Sequence, residues 1–338
     1  MSDGRMKEKV ALVLGATGGI GGHLARVLRS RGYTVRALSR GITTRRWIDP
    51  RFQWIEGDAL CREDVVNAAH GASLIVHAVN PPGYLDWHTT VLPMLDNTIA
   101  AAKLADARIL LPGSLYNYGP DAFPAIYEDS PQNPRSRKGK IRMQMELRLK
   151  NEANRGLKVL IVRTGDYFGP GAGNSWFSQA LVKPGRQIGV ITNPGRPGIG
   201  HQWAYLPDVA QTMLKLVDQE ADLPHFSVFQ MQGFWDSDGL QLHAAIERVV
   251  GHCIGARRFP WWVVRLASPF VPFFRELNEM RYLWTTSVRM NNERLIAFLG
   301  YEPRTDIDVA VRATLVDLCC FSPPRLLDGA VHSMERSA

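Results

Sequence analysis

The chain has 338 residues, with 40 Lys and Arg against 32 Asp and Glu, for a formal charge of +8. Hydrophobic residues make up 45% and charged residues 21%, which excludes a disordered chain and supplies core material for one large α/β domain or two lobes. A mean hydropathy of −0.14 excludes a polytopic membrane protein, while the basic balance admits nucleic acid, anionic membrane or a phosphorylated ligand as partner.

An apolar run at 10–14 predicts a buried strand, and 19–31 predicts a helix with Ile20, Leu24, Val27 and Leu28 on one face. Strands are predicted over 34–38, 52–55 and 74–78, a long helix over 86–105 and a strand over 108–112. A helix over 138–154 carries Ile141, Met145, Leu149 and Ala153 four residues apart, and 157–163 reads as the next strand. This alternation predicts an α/β fold with a doubly wound parallel sheet. Past Gly169 the pattern becomes irregular and rich in Gly and Pro, with helices expected near 207–219, 239–250, 291–298 and 306–318. The expected division is a core at 1–170, a mixed segment at 171–321 that returns partly to the core and forms a smaller lobe, and a fraying tail at 322–338.

The run at 260–274 contains Arg265, Pro269 and Pro272 and is too short and broken to span a bilayer. It reads as a core helix, with an amphipathic membrane or partner contact as the alternative. The run at 10–14 is too short for a signal peptide. Cys61, Cys253, Cys319 and Cys320 form no CxxC and no zinc-type spacing, so the expectation is no metal site, no disulfide framework and a cytoplasmic setting.

The positive charge is concentrated. Residues 10–48 hold seven arginines and no acidic residue, and residues 132–163 hold ten Lys or Arg against Glu146 and Glu152, so the rest of the chain is net acidic. Most of these read as solvated helix faces. No aromatic–basic interleaving or DNA-binding motif accompanies them, and nucleic acid is not expected as a partner.

The first strand runs into Gly15-Ala16-Thr17-Gly18-Gly19-Ile20-Gly21. Glycines at 15, 18 and 21 let the turn tighten, let a pyrophosphate approach the backbone and let the helix pack on the strand. The helix N-terminus then offers free N–H groups to phosphates. A glycine turn between a strand and a helix, opening an α/β alternation, predicts a Rossmann-type dinucleotide site, with a substrate lobe after it. At the end of the second strand an acidic residue would accept the ribose hydroxyls of NAD. Ser39-Arg40 stands there instead, with Arg45 and Arg46 beyond, which favours NADP over NAD through a guanidinium fork on the 2′-phosphate; a surface arginine indifferent to either cofactor is the plainer reading.

Together with Gly57-Asp58, His77-Ala78-Val79-Asn80, Gly113-Ser114, Tyr118-Gly119, Arg163-Thr164-Gly165, Phe168-Gly169-Pro170-Gly171 and the segment from Tyr205 to Ala210, the chain resembles the extended short-chain dehydrogenase/reductase superfamily in its NAD-dependent epimerase/dehydratase branch. The resemblance covers residues 9–318. It implies an oxidoreductase or epimerase/dehydratase acting on a small carbonyl, hydroxyl or nucleotide-sugar-like substrate. It further implies that Asp58, with Ala59, meets the adenine, that Ala78, Val79 and Asn80 line the cofactor, and that Ser114 hydrogen-bonds a substrate oxygen. Thr164 would face the nicotinamide, Tyr205 and Asp208 would belong to the returning segment, and two long helices would suit a homodimer.

The resembling family moves its proton with Tyr-x-x-x-Lys on the helix after the fifth strand, and that motif is missing here. Anchored on Glu146, the tyrosine position falls on Lys138 and the lysine position on Arg142, one helical turn apart. Arg142 suits ribose hydroxyls but holds its proton too tightly to be an acid or base. Lys138, desolvated beside Arg142, would lose its proton more readily; a solvated lysine in a basic loop is the alternative. Tyr118, with Tyr116 in reserve, is a second proton carrier or else a positioning or packing aromatic. His201 is a candidate base or a loop histidine, and His88 a structural or capping residue. Asn174, Arg196, His201 and Tyr205 are the candidate substrate contacts. A dinucleotide sensor that has lost turnover is the alternative to an enzyme.

Overall fold

A computed structural model describes residues 9–42, 49–81 and 87–321. The expectations placed on Arg45, Arg46, the side chain of His88 and the tail at 322–338 lie outside the described residues.

In chain order the strands are β1 (Val10–Leu14), β2 (Thr34–Ser39), β3 (Gln53–Glu56), β4 (Leu74–His77), β5 (Arg108–Ser114), β6 (Ala125–Ile126), β7 (Val159–Thr164), β8 (Asp166–Phe168), β9 (Val190–Asn193), β10 (His201–Tyr205), β11 (Phe226–Gln230), β12 (Phe234–Asp236), β13 (Gly255–Arg258) and β14 (Arg289–Met290). The helices are α1 (Gly19–Ser30), α2 (Arg62–Ala68), α3 (Trp87–Ala105), α4 (Arg137–Ala153), α5 (Leu206–Asp218), α6 (Gln241–Val250), α7 (Trp261–Ala267), α8 (Pro272–Glu279), α9 (Glu293–Leu299) and α10 (Ile307–Asp317).

Seven strands pair in parallel in the order β3-β2-β1-β4-β5-β7-β11. β1 and β7 are buried along their whole length, as continuous apolar runs of a sheet covered on both faces should be. One face packs against α2, α3 and α4, and α4 buries Ile141, Met145, Leu149 and Ala153 at its expected four-residue step. The other face packs against α1, α5 and α9 through Leu24, Leu28, Val209, Met213 and Leu295. The expected Rossmann-type doubly wound sheet is therefore present, and the strand order reverses between β1 and β4, where such folds bind nucleotides.

β11 was not expected from the sequence. Ser227 and Gln230 interrupt its apolar pattern, yet both are buried, and the strand extends the sheet beside β7. Beyond Gly169 the chain otherwise forms the small sheet β13-β9 and adds strands to β8 and β6, which lie before it, as β12-β10-β8 and β14-β6. Phe168, Phe177 and Trp203 form an aromatic core there, and α6 packs on α10.

The core helix expected at 260–274 is corrected. The segment forms two short helices, α7 and α8, with Pro272 opening the second, and much of its apolar surface is exposed. All four cysteines are free, and among the described residues no cluster of His, Cys, Asp or Glu could hold a metal ion.

Candidate active site

The glycine turn lies against the end of β4. The Ala78 amide donates to the Leu14 carbonyl, and Gly15 has φ +90°, where a Cβ would sit 2.6 Å from the Ala78 carbonyl oxygen. At Gly21 a Cβ would fall 2.2 Å from the Gly15 carbonyl oxygen, so only glycine lets α1 start this close to the strand. Thr17 and Gly18 are exposed, and Gly19 and Ile20 open the helix half-buried. Its N-terminus has no side-chain cap and no acidic residue in the first turn. The amides and the positive end of the helix are thus left for an anion, and the turn fits a dinucleotide pyrophosphate.

Around this cradle, Arg40 is exposed at the end of β2, 3.7 Å from the Asp58 carboxylate. Ala59 is buried and its carbonyl accepts from Asn97. Val79 is half-buried, and the exposed Asn80 accepts a hydrogen bond from Arg142 at 3.1 Å. Ser114 and Thr164 end adjacent strands as register partners; Thr164 is buried, and the Ser114 hydroxyl accepts from the Tyr116 amide at 3.1 Å.

Lys138 and Arg142 come from the first turns of α4. Ser136 caps this helix by accepting from the Gly139 amide at 3.0 Å. Gly139 allows the close approach that matters: a Cβ there would lie 2.3 Å from the Tyr116 carbonyl oxygen, so α4 can abut the turn after β5 and bring Lys138 beside Tyr116. Arg142 lies over the Trp87 ring at 5.2 Å and Lys138 at 5.9 Å.

Lys138 is 4% exposed, and its Nζ is 3.4 Å from Glu276 of α8. Burial lowers its pKa to about 8, and the Glu276 charge opposes that fall. Three cationic residues, Arg137, Lys138 and Lys140, stand in the first turn of α4, at the positive end of the helix dipole and with no acid among them. α8 answers this charge from outside, through Glu276 and through Glu279, which accepts from the Arg137 amide at 2.7 Å.

Between α4 and α8 lies a cavity of about 160 Å³ whose walls include Tyr116, Lys138, Trp176, Phe259, Phe274 and Leu277. Among its described lining residues Lys138 is the sole cation. Tyr116 donates from its hydroxyl to Asp166 at 2.7 Å. The other Asp166 oxygen is 2.8 Å from His201 Nε2, and the His201 ring stacks on Trp284 at 3.7 Å. A buried carboxylate thus joins a tyrosine of the cavity wall to a histidine behind it.

The family model for the NAD-dependent epimerase/dehydratase family matches residues 11–231, which span the glycine turn, Lys138 and β11. The chain belongs to the NAD-dependent epimerase/dehydratase family. Two curated relatives match in part. A mouse (Mus musculus) sterol-4-alpha-carboxylate 3-dehydrogenase, decarboxylating, is 34% identical over 80 residues, 23% of this chain and 21% of the relative. A 3-diazoavenalumate denitrifying reductase of Streptomyces sp is 30% identical over 179 residues, 48% of this chain and 57% of the relative. The chain thus spans about a fifth and just over half of their lengths. The UDP-glucose 4-epimerase of Thermotoga maritima shares the fold at TM-score 0.70 and 15% identity, covering 91% of this chain and 98% of that one.

Within this epimerase/dehydratase, several expected site residues lie elsewhere. Tyr118 is fully buried and does not line the cavity. Its hydroxyl accepts from Arg163 and from Gln230, the latter at 2.7 Å, and donates to the Tyr127 carbonyl. Burial raises its pKa far above that of a free phenol, so the cationic neighbour does not acidify it into a base. That neighbour, Arg163, is committed to Glu146 at 2.6 Å. His201 is a buried strand residue and not a loop histidine. Tyr205 lines a different cavity, with Asp208, Arg304 and Thr305, and Asp208 accepts from the Thr305 amide and hydroxyl at 2.7 and 2.6 Å. Arg196 is exposed in a turn, and Asn174 accepts from Gln179, itself a cavity residue, at 2.8 Å.

Sequence reasoning missed Glu276, Gly139 and Asp166. Glu276 had one signal, since it and Glu279 follow 25 residues (251–275) without an acid. Gly139 and Asp166 had none, because their partners are distant in the chain or are backbone atoms.

Proposed function

We propose that this epimerase/dehydratase is a nicotinamide-dependent oxidoreductase of a small, largely apolar carbonyl or hydroxyl compound, with Lys138 moving the proton in place of a tyrosine. The observation that carries the reading is Lys138 on the wall of an apolar cavity with a pKa near 8, and counting from Glu146, which aligns it with the family's tyrosine, supports it. A lysine at that value exists in both forms near neutral pH, as an acid and base must. The naming of both partial relatives as a dehydrogenase or a reductase supports the redox assignment. A diphosphate substrate would need cations that this lining lacks, which favours an apolar compound over a nucleotide sugar.

The turn from Gly15 to Gly21 would hold the pyrophosphate, and Arg142 with Asn80 would hold the ribose beside the reacting end. When bound, the cofactor supplies or accepts hydride. Lys138 then donates a proton from Nζ to the substrate oxygen in reduction and takes it back in oxidation, while Arg142 stays charged throughout. Arg40 at the end of β2 supports a preference for NADPH.

The test is NADPH and NADH oxidation against a panel of apolar aldehydes and ketones. Lys138→Met is expected to reduce kcat by roughly a hundredfold or more with cofactor affinity retained. Full activity in Lys138→Met overturns the assignment.

A further inference from the structure

We propose that the outer face of α7, α8 and the turn joining them docks on an anionic lipid bilayer. Trp262 is 67% exposed, Leu266 64% and Phe270 85%, and Val263, Val271 and Phe273 are exposed beside them. Scattered apolar residues on a surface are ordinary; six within twelve residues form a patch that needs a covering. The segment is anchored from within. Val264 is buried, the Trp261 indole donates to the Pro194 carbonyl at 2.8 Å, and Arg281 lies over the Trp261 ring at 6.0 Å. The patch is therefore a presented face of packed structure.

Its charge selects the covering. Residues 251–275 carry Arg257, Arg258, Arg265 and Arg275, all exposed, and no Asp or Glu. The first acids after them, Glu276 and Glu279, turn inward to α4. Exposed apolar side chains on a segment with four exposed arginines and no acid match a bilayer whose headgroups are anionic, with the aromatic side chains at the acyl boundary. A second copy is a poorer occupant, because two-fold pairing of this segment would bring its arginines together with no carboxylate of its own to answer them. Among the described residues no helix is long and apolar enough to cross a membrane, so the contact is peripheral. Phe273 belongs both to this face and to the wall of the cavity holding Lys138, so the docked surface and the cavity share a side chain.

Flotation of the full chain with vesicles tests this independently of any catalytic assignment. It should float with phosphatidylcholine–phosphatidylglycerol vesicles, less with phosphatidylcholine alone, and be released by salt. The variant Trp262→Ser/Leu266→Ser/Phe270→Ser alters exposed side chains only, and should remain folded by circular dichroism while losing flotation. Glutamine at Arg257, Arg258, Arg265 and Arg275 should weaken partition by about fivefold per arginine. Absence of binding to anionic vesicles, or binding unchanged in the triple serine variant, overturns the proposal. So does a dimer that Phe270→Ser dissociates in sedimentation without vesicle binding, which assigns the patch to self-association.

Discussion

The Lys138 ammonium and the Glu276 carboxylate face one another at 3.4 Å, one from the first turn of α4 and the other from α8. Glu276 holds the lysine pKa up against burial, so its removal lets the value fall below about 8. Under the proposed mechanism the lysine starts protonated in carbonyl reduction, so kcat/KM is expected to be flat below pH about 8 and to decline above it. In Glu276→Gln the decline should begin at lower pH, and for alcohol oxidation the rising limb should move the same way. Matching pH–rate profiles for the two proteins would separate the carboxylate from the proton carrier.

Gly139→Ala tests positioning without touching the reacting groups. The new methyl would meet the Tyr116 carbonyl at 2.3 Å and Pro134 at 2.6 Å, forcing α4 away from the turn. The expected result is a fall in kcat of up to about a hundredfold, larger than the loss of NADPH affinity that follows from moving Arg142 on the same helix. Steady-state kinetics beside a cofactor titration would show the split.

Arg40→Asp should reverse cofactor choice. The substitution removes the only described cation at the end of β2 and sets a second carboxylate beside Asp58. NADPH affinity should fall by roughly tenfold or more while NADH affinity holds or improves. Fluorescence titration of both cofactors measures the ratio, and an unchanged ratio removes Arg40 from 2′-phosphate recognition.

Tyr118→Phe should lower stability and spare chemistry. It strips Arg163 and Gln230 of a shared buried partner, which costs about 1–3 kcal/mol. Glu146→Ala leaves the Arg163 charge buried without its carboxylate and should cost about 3–5 kcal/mol. Denaturant unfolding gives both values, and activity per folded molecule of the phenylalanine variant should match the parent.

His77 sets an acid limit on the fold. It is buried at the end of β4, and burial, with the Arg142 charge, lowers its pKa to about 3. The unfolded chain takes up a proton below its ordinary value of about 6.5 while the folded one does not, so stability falls as pH drops from 6.5 toward 3. The full loss is on the order of 5 kcal/mol. His77→Leu should flatten that slope because it removes the titrating imidazole, while the Thr98 hydroxyl keeps its bond to the Met94 carbonyl. Unfolding curves across this pH range decide it.

The central sheet was legible because most of its strands are unbroken apolar runs and α4 keeps a clean four-residue step. β11 was not, because Gln230 looks like a surface residue in sequence and is buried by its bonds to Glu128 and Tyr118. Most of the basic block at 132–163 reads as solvated in sequence, and that holds for exposed Lys140 and Lys150. It fails for Lys138 and Arg163, whose charges are buried only because Glu276 and Glu146 meet them there. The glycine turn announced itself through spacing. The wall opposite Lys138 did not, because α8 lies more than a hundred residues downstream and its acids acquire meaning only by contact.

β11 joins the central sheet from beyond residue 170, pairing with β7 along its whole length from Val159 to Arg163. A shorter chain ending near 170 would expose β7 as an apolar open edge, ready to recruit strands from other molecules. The nucleotide-binding half is therefore no detachable cassette. Any shuffling of the segment beyond residue 170, by evolution or by a protein engineer, must carry over a sheet strand and its covering helix α5 with each exchange.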